Sequence, residues 1–227
     1  FPWGHTFVAT AGAVHACGAS VVLCDVGPDH MIDVDDARGR INSATKAVMP
    51  VQLNGSTADM DAVQALSREH GLLVVEDSCQ AFGARYKGRP AGTFGVAGSF
   101  SFYPAKTLGC FGDGGGMVFT DVEVAERAKA FRDHGRLGTG EIEDFGINGR
   151  LDNVQAAILS IKLRHYDEAI STRRRLAALY CDALMDLEEI TLPTHPDSDP
   201  DRFDIFQNLE IRAERRDDLR DFLLGRG

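Results

Sequence analysis

The sequence of 227 residues has a formal net charge of -10 at pH 7, and 44% of its residues are hydrophobic. The acidic balance disfavours a nucleic-acid partner, and no apolar run approaches the roughly 20 residues that a membrane-spanning helix needs. We therefore expect no nucleic acid or membrane partner, and one large domain with a smaller one attached. The five cysteines are scattered without a CxxC pair, which indicates reduced thiols and a cytoplasmic location.

Neither end of the sequence has the pattern of a domain end. The opening "FPWGHTFVAT" has no initiator methionine and starts in what resembles the middle of a fold. The closing "DFLLGRG" stops where a helix would cap on glycine. We expect native sequence beyond both ends.

Short valine-rich runs, each bounded by Gly, Asp or Asn, predict five β-strands. They lie at residues 19–26, 46–53, 71–78, 98–103 and 115–121. Between the second and third runs, "DMDAVQALSREHG" has apolar residues at helical spacing and ends on Gly71, a helix-stop signal. A strand, helix, strand order with runs that are apolar on both faces predicts an α/β fold with a mostly parallel sheet.

From residue 151 the pattern is helical, and it predicts one long helix or two in tandem with Arg173–Arg175 on the solvent side. The expected apolar stripe consists of Leu151, Val154, Ile158, Ile161, Leu176, Leu179, Ala183 and Leu187. The Pro/Asp-rich stretch 191–201 predicts a domain boundary, with a strand and a helix beyond it. We expect a large domain over residues 1–190, its N-terminal part missing, and the truncated start of a small α/β domain over 191–227.

Lys106 lies in the stretch "SFSFYPAKTLGCFGDGGG", which is otherwise uncharged until Asp113. Two nucleotide motifs are excluded, because a P-loop requires glycine in place of Ala105 and a dinucleotide fingerprint requires glycine in place of Met117. An apolar and aromatic setting disfavours the charged form of lysine and makes its amine a usable nucleophile. The alternative is a lysine whose stem packs in the loop while its head reaches solvent.

Asp77 and Gln80 follow the third predicted strand, in "VVEDSCQAFGA". Ligands gather at the carboxyl ends of parallel strands, although the alternative role for Asp77 is to cap the next helix. Together with Lys106 and nearby hydroxyl groups, Asp77 supplies what pyridoxal phosphate requires. These are an amine for the aldehyde, a carboxylate for the ring nitrogen and hydroxyls for the phosphate.

Several segments resemble, in order and spacing, the DegT/DnrJ/StrS family of sugar aminotransferases. They are "TFVATAGAVHACGA", "VVEDSCQAFGARYKGRPAGTFGVAGSFSFYPAKTLGCFGDGGGMVFTD", "RDHG" and "GINGRLDNVQAAIL". The family comprises fold-type-I, aspartate aminotransferase-like enzymes that use pyridoxal phosphate, so the resemblance implies their three-layer large domain. It covers nearly the whole chain, and the long central segment is highly specific. The family's N-terminal phosphate-binding turn and much of its small domain have no counterpart in this sequence.

The resemblance implies a role for each matching residue. Lys106 corresponds to the Schiff-base lysine, and Asp77 to the partner of the pyridine nitrogen. Gln80 would approach the ring hydroxyl, Ser101 would hold the phosphate, and Phe7 would stack on the face of the cofactor.

In the same family the loop equivalent to "GINGR" reaches across a dimer. The resemblance therefore implies that Asn148 contacts the phosphate in the neighbouring subunit, and that Arg150 anchors a substrate carboxylate. His134 in "RDHG" would lie near the substrate. The alternatives are that Asn148 is a turn residue between two glycines and that His134 is structural. No metal site is expected.

The resemblance implies an aminotransferase that moves an amino group from glutamate or glutamine to a ketosugar, most often nucleotide-linked, within a homodimer that shares its active sites. A cyclitol ketone is an alternative acceptor. A sugar dehydratase with the same cofactor and a non-catalytic regulatory protein are alternative functions. The complete set of Lys106, Asp77 and Gln80 with Ser101 argues against the regulatory protein, since a protein without turnover need not keep all four.

Overall fold

The structure is a computed structural model that describes residues 5–142 and 144–227. Its helices, in chain order, are α1 Val8–Ala16, α2 Val34–Arg40, α3 Met60–His70, α4 Val122–Phe131, α5 Asn153–Leu163, α6 Tyr166–Leu184 and α7 Arg216–Leu224. Its strands are β1 Ala47–Val48, β2 Leu73–Asp77, β3 Arg85–Tyr86, β4 Arg89–Pro90, β5 Ala97–Ser101, β6 Gly115–Phe119, β7 Ile190–Thr191, β8 Arg202–Phe203 and β9 Arg212–Ala213. A single 3-10 turn covers Leu53–Gly55.

The main sheet has four strands in the order β1, β2, β5, β6. The first three are parallel, with Asp77 of β2 opposite Ser99 of β5, and β6 runs antiparallel to β5. The parallel strands therefore end together at one edge of the sheet. This arrangement confirms the expected α/β fold with a mostly parallel, mixed sheet.

Helix α3 connects β1 to β2 and confirms the helix expected between the second and third runs. Asp59 caps its start, with the side chain accepting from the backbone N–H of Ala62 at 3.0 Å. Gly71 ends it in the left-handed conformation, at φ 63°. The apolar face carries Val63 and Leu66, which are fully buried in the core that covers the sheet.

Glu76 and Asp77 are neighbours in β2 but face opposite sides of the strand, as alternation along a strand requires. Glu76 is fully buried and accepts from the backbone N–H groups of Gly92 at 2.7 Å and Gly95 at 2.9 Å. Its other contacts include the side-chain amide of Gln52 at 2.9 Å. Glu76 therefore holds the loop before β5, which leaves Asp77 at the open edge of the sheet.

Two of the expected strands are shorter in the structure than the sequence predicted. Residues 19–26 form only isolated bridges, and Leu23 is exposed beside buried Cys24, so the run is not sandwiched between two layers. The run 46–53 pairs regularly only over β1, because Pro50 has no N–H to donate.

The helical region after residue 151 consists of two helices in tandem, α5 and α6, and the expected apolar stripe is wrong. Most of that stripe is exposed, including Val154 and Ile161. The buried face is instead formed by Leu159, Tyr166, Ile170, Ala177 and Cys181. The sequence contains two apolar faces here, and the pattern alone does not tell which of them packs on the core.

The arginine run is also only partly on the solvent side. Arg173 donates to the backbone carbonyls of Phe206 and Gln207, at 3.1 and 3.3 Å. The side chain of Arg174 is only 15% exposed and donates to the carbonyl of Asp204 at 2.7 Å. These two residues therefore tie α6 to the segment that follows β8, because that segment has carbonyl groups with no strand partner.

The segment after residue 190 returns to the main body of the chain. Strand β8 pairs antiparallel with β3, β7 pairs with β9, and α7 closes the described chain. The division into domains over 1–190 and 191–227 stays a prediction. Within residues 5–142 and 144–227, no helix is long and apolar enough to cross a membrane.

Candidate active site

The candidate site lies at the edge of the sheet where the parallel strands end. Asp77 is the last residue of β2 and Ser101 is the last residue of β5. Lys106 follows five residues after Ser101, in the loop between β5 and β6. The carboxyl edge of a parallel sheet is where α/β proteins bind ligands. The structure therefore brings Asp77 to the edge that also carries Ser101 and the lysine loop.

Two groups of this chain fix the Asp77 carboxylate. The hydroxyl of Thr10, in the first turn of α1, donates to Oδ2 at 2.6 Å, and the backbone N–H of Cys79 donates to Oδ1 at 3.1 Å. Thr10 is 4% exposed, and its hydroxyl also lies 2.9 Å from that of Thr6. Sequence reasoning missed Thr10, because nothing in its local pattern indicates a partner 67 residues away.

The pKa of the Cys79 thiol depends on its burial and on the charges near it. Burial is the main cause that raises its pKa to about 12, and the neighbouring carboxylate of Asp77 raises it further. The positive charge of Lys106 acts in the opposite direction. The raised pKa thus reflects the buried position of Cys79 next to the Asp77 carboxylate.

The side-chain amide of Gln80 has a fixed orientation. Its Oε1 accepts from the backbone N–H of Asn54 at 2.9 Å, which leaves its Nε2 as a donor. Within the described residues, Nε2 has no hydrogen-bond partner. Asn54 lies in the turn after β1 with a left-handed φ of 53°, and its side chain is hydrogen-bonded to Glu210 and Asn208.

The lysine loop is held through its backbone. The N–H of Lys106 donates to the carbonyl of Tyr103 at 2.9 Å, and the hydroxyl of Ser101 accepts from the N–H of Tyr103 at 3.3 Å. The side chain of Gln207 bonds to Ala105 and Thr107, on either side of the lysine. The half-buried Lys106 side chain makes no ion pair or hydrogen bond with any residue in the described ranges.

Phe7 lies at the start of α1 and its side chain is 70% exposed. Its carbonyl accepts from the N–H of Thr10 at 3.1 Å. Residues three apart in a helical turn share a face, and Thr10 contacts Asp77. The ring of Phe7 therefore projects from a turn that is attached to the Asp77 carboxylate.

The structure does not bring the remaining predicted residues to this edge. His134, Asn148 and Arg150 are exposed and belong to one loop region after α4. Arg150 forms an ion pair with Asp133 at 2.7 Å, and Asn148 bridges to the same residue through the backbone. None of the contacts given for these three side chains reaches Asp77, Gln80, Ser101 or Lys106 in the described part of the chain.

A cluster of His5, His30 and Glu210 has its ligand atoms within 4.8 Å of one another. Arg212 donates from Nε to Nε2 of His30 at 3.1 Å, so the proton of the neutral ring lies on Nδ1, which faces Glu210 at 3.7 Å. Burial lowers the pKa of His30, and Arg212 lowers it further against the opposing effect of Glu210. These side chains therefore form a polar cluster in which Nε2 of His5 lies 3.0 Å from Oε1 of Glu210 and Arg212 donates to His30.

Comparison with known proteins matches residues 4–227 to the DegT/DnrJ/EryC1/StrS aminotransferase family. The chain is 45% identical over 225 residues to the dTDP-3-amino-3,4,6-trideoxy-alpha-D-glucose transaminase of Streptomyces venezuelae, covering 98% of this chain and 58% of the relative. It is 40% identical to the pleiotropic regulatory protein of Geobacillus stearothermophilus, covering 98% of this chain and 60% of the relative.

Among solved structures, S. venezuelae DesV in complex with a ketimine intermediate superimposes with a TM-score of 0.93 at 43% identity. The match covers 99% of this chain and 60% of DesV. This confirms the expected aminotransferase fold. The chain thus spans about 60% of the length of these relatives. On the match over residues 4–227, the chain belongs to the DegT/DnrJ/EryC1/StrS aminotransferase family.

Proposed function

We propose that the complete protein is a pyridoxal-phosphate-dependent aminotransferase that moves an amino group from glutamate or glutamine to a nucleotide-linked ketosugar, in amino-sugar biosynthesis. The observation that carries the proposal is the position of Asp77 and Ser101 at the ends of adjacent parallel strands, with Lys106 in the loop that follows β5. The similarity to the S. venezuelae transaminase supports the reaction and the class of acceptor. Free cysteines throughout the described chain support a cytoplasmic location.

The groups at this edge fit pyridoxal phosphate by their chemistry. Asp77 offers a carboxylate for the ring nitrogen, and Ser101 offers a hydroxyl for the phosphate. The Nε2 of Gln80 is an available donor for the ring hydroxyl, because Asn54 occupies the other end of the amide. Lys106 offers an amine that no described side chain engages. When bound, the cofactor supplies an electron-withdrawing ring that stabilises negative charge on the carbon losing a proton.

Asp77 keeps the ring nitrogen protonated. Its carboxylate is oriented by Thr10 and by the backbone of Cys79, so no side-chain rotation is needed before a cation arrives. A carboxylate next to a protonated nitrogen favours the charged form of that nitrogen. Phe7 would cover one face of the ring from the turn that also carries Thr10.

Lys106 moves the proton. Its Nζ would take up the proton from the α-carbon of the amino donor and hold it for return within the same cycle, and the second half of the cycle would run in reverse with the acceptor ketone. The backbone of the loop is fixed at Tyr103, so the flexible side chain swings about an anchored Cα.

We propose that the active form is a homodimer with shared sites. Asn148 and Arg150 are exposed and make no described contact with the Lys106 edge of their own chain, which supports a role in the partner's site. Phe145, three residues before Asn148, is also exposed, at 94%. A twofold axis would bring each subunit's Asn148 to the other subunit's phosphate site reciprocally. Arg150 and His134 would contact the substrate there.

The two alternative functions are a sugar dehydratase and a non-catalytic regulatory protein. By resemblance, the family's sugar 3-dehydratases carry histidine at this position, so lysine favours amine transfer. The name of the Geobacillus relative favours a regulatory role as a second candidate. The retained carboxylate, amide, hydroxyl and amine favour catalysis, because a regulator without turnover has no need of all four.

The proposal is tested by mixing the complete protein with glutamate or glutamine and a panel of ketosugars and cyclitol ketones while the cofactor absorbance is followed. We expect the donor to change the spectrum and one class of acceptor to restore it, as a two-step exchange requires. If no amino donor changes the cofactor spectrum, the proposed aminotransferase activity is contradicted and the regulatory role is favoured.

A further inference from the structure

We propose that Gln207 is a positioning residue for Lys106. Its side-chain Oε1 accepts from the backbone N–H of Thr107 at 2.8 Å, and its Nε2 donates to the backbone carbonyl of Ala105 at 3.0 Å. One amide therefore holds the peptide groups on both sides of the lysine, from a position 100 residues further along the chain.

The backbone of Gln207 is itself fixed. Arg173 of α6 donates to its carbonyl at 3.3 Å and to the carbonyl of Phe206 at 3.1 Å. Gly55 approaches so closely that a Cβ on it would lie 2.6 Å from the backbone nitrogen of Gln207. The N–H of the fully buried Ile205 donates to the carbonyl of Gly55 at 2.9 Å. The side-chain amide of Gln207 thus extends from a rigid segment, and its two hydrogen bonds restrict the movement of the lysine loop.

This contact matters because the Lys106 amine has no side-chain partner in the described ranges to aim it. Two bonds on adjacent peptide groups fix the rotation of the backbone on either side of the lysine, and therefore the direction of its Cα–Cβ bond. A small error at Cα grows along a four-carbon side chain, and misplacement of a reacting atom by about 1 Å costs up to about a hundredfold in rate. Gln207 therefore determines the direction in which the Lys106 side chain leaves the backbone.

The inference rests on the proposed function, since it needs Lys106 to react with the cofactor. The test compares the complete wild-type protein with Gln207→Met, which has a similar length and neither hydrogen bond. Glu214→Gln, at an exposed position a few residues further on, serves as the matched control. Each protein is freed of cofactor and mixed with pyridoxal phosphate. Samples are reduced with borohydride at successive times, and mass spectrometry locates and quantifies the adduct.

We expect the adduct on Lys106 in the wild type and in Glu214→Gln, forming at equal rates. In Gln207→Met we expect it to form about tenfold more slowly, the change that corresponds to losing roughly 1.4 kcal/mol of hydrogen bonding. A second measurement is amide hydrogen exchange. The N–H of Thr107 should exchange about tenfold faster in Gln207→Met, while the N–H of Ser78, which donates to Ser99 in the sheet, should not change.

The outcomes separate the two claims. No adduct on Lys106 in the wild type would overturn the proposed function. An adduct that forms equally fast in Gln207→Met and the wild type would overturn the positioning role while leaving the function intact. Faster exchange at Ser78 together with Thr107 would assign Gln207 to general stability and would also overturn the positioning role.

Discussion

Two regions of the molecule carry the predicted site residues, and they differ in how this chain holds them. At the carboxyl edge of the sheet, Asp77 and Gln80 are oriented by hydrogen bonds from Thr10 and Asn54. In the loop region 133–150, His134, Asn148 and Arg150 are exposed and contact mainly their own loop.

The difference indicates that the predicted site residues fall into two groups, those oriented within this chain and those exposed in a loop. Groups that must meet a planar ring at fixed angles are positioned before the ligand arrives, by contacts within one chain. Groups in an exposed loop gain a function only when another surface meets them. Under our proposal that surface is the partner subunit, so the comparison between the sheet edge and the loop region becomes a comparison between the two subunits' contributions.

The largest effect is expected at the sheet edge, from Lys106→Ala. Removing the amine leaves no group to hold the transferred proton, so turnover should fall by about a thousandfold or more. The melting temperature should stay close to that of the wild type, because the Lys106 side chain has no described partner to lose. Steady-state amine transfer and thermal unfolding check the two statements. Turnover within tenfold of the wild type would assign the chemistry to another residue.

Asp77→Asn should show the next largest effect. The amide keeps the shape of the carboxylate but no longer favours a protonated ring nitrogen, so we expect turnover to fall about a hundredfold while the cofactor still binds. Thr10→Val removes one of the two groups that orient the Asp77 carboxylate and keeps the carboxylate itself, so turnover should fall only about tenfold. Rates and cofactor affinities measured on both variants give this order. An equal loss in both would mean that Thr10 acts on the cofactor directly.

Asn148→Ala addresses the loop region and should reduce turnover about tenfold through the partner's site. Subunits of this variant are then exchanged with those of Lys106→Ala. At an equal ratio half the dimers are mixed, and each mixed dimer has one intact site, so activity should return to roughly a quarter of wild type. Native mass spectrometry confirms the exchange. No recovery despite exchange would place Asn148 in its own subunit's site or outside any site.

The smallest effect concerns a neighbour of the sheet edge. Because burial and Asp77 raise the pKa of Cys79 to about 12, its thiol stays protonated near pH 8 and should react with a maleimide more than about a hundredfold slower than exposed Cys17. Asp77→Asn removes one cause of the raised pKa, so labelling of Cys79 should become a few times faster. Peptide mass spectrometry follows both cysteines. Labelling of Cys79 as fast as Cys17 would contradict the buried position beside Asp77.

The sequence predicted local features of the fold well and long-range contacts poorly. Helix α3 was readable because its apolar residues recur at helical spacing and Gly71 marks its end, and the strand ending at Asp77 was readable from its apolar run. The extent of the run 19–26 and the orientation of Arg173 were not, because both depend on what packs beside them. A pattern of apolar residues predicts a surface that is able to pack, but it does not predict which element packs against that surface.

The same limit applies to the site. The position of Asp77 follows from a strand end, which is a local feature, whereas Ser101 was expected from the family resemblance. The proposed role of Lys106 follows from the residues around it and from the same resemblance. Thr10, Asn54 and Gln207 had no local signal, because their partners lie 67, 26 and 100 residues away in the chain. Residues that position a reactive group are therefore the part of a site that only a structure reveals.

The most direct test of the central claim follows the transferred nitrogen. The complete wild-type protein is incubated with nitrogen-15-labelled glutamate or glutamine and a nucleotide-linked ketosugar that it accepts, and the product is analysed by mass spectrometry and NMR. Because the Lys106 amine would allow a full cycle of amine transfer, which histidine at this position would not, we predict that the label appears on the sugar carbon that bore the ketone. A deoxy product free of nitrogen would contradict the account and assign the protein to the dehydratases.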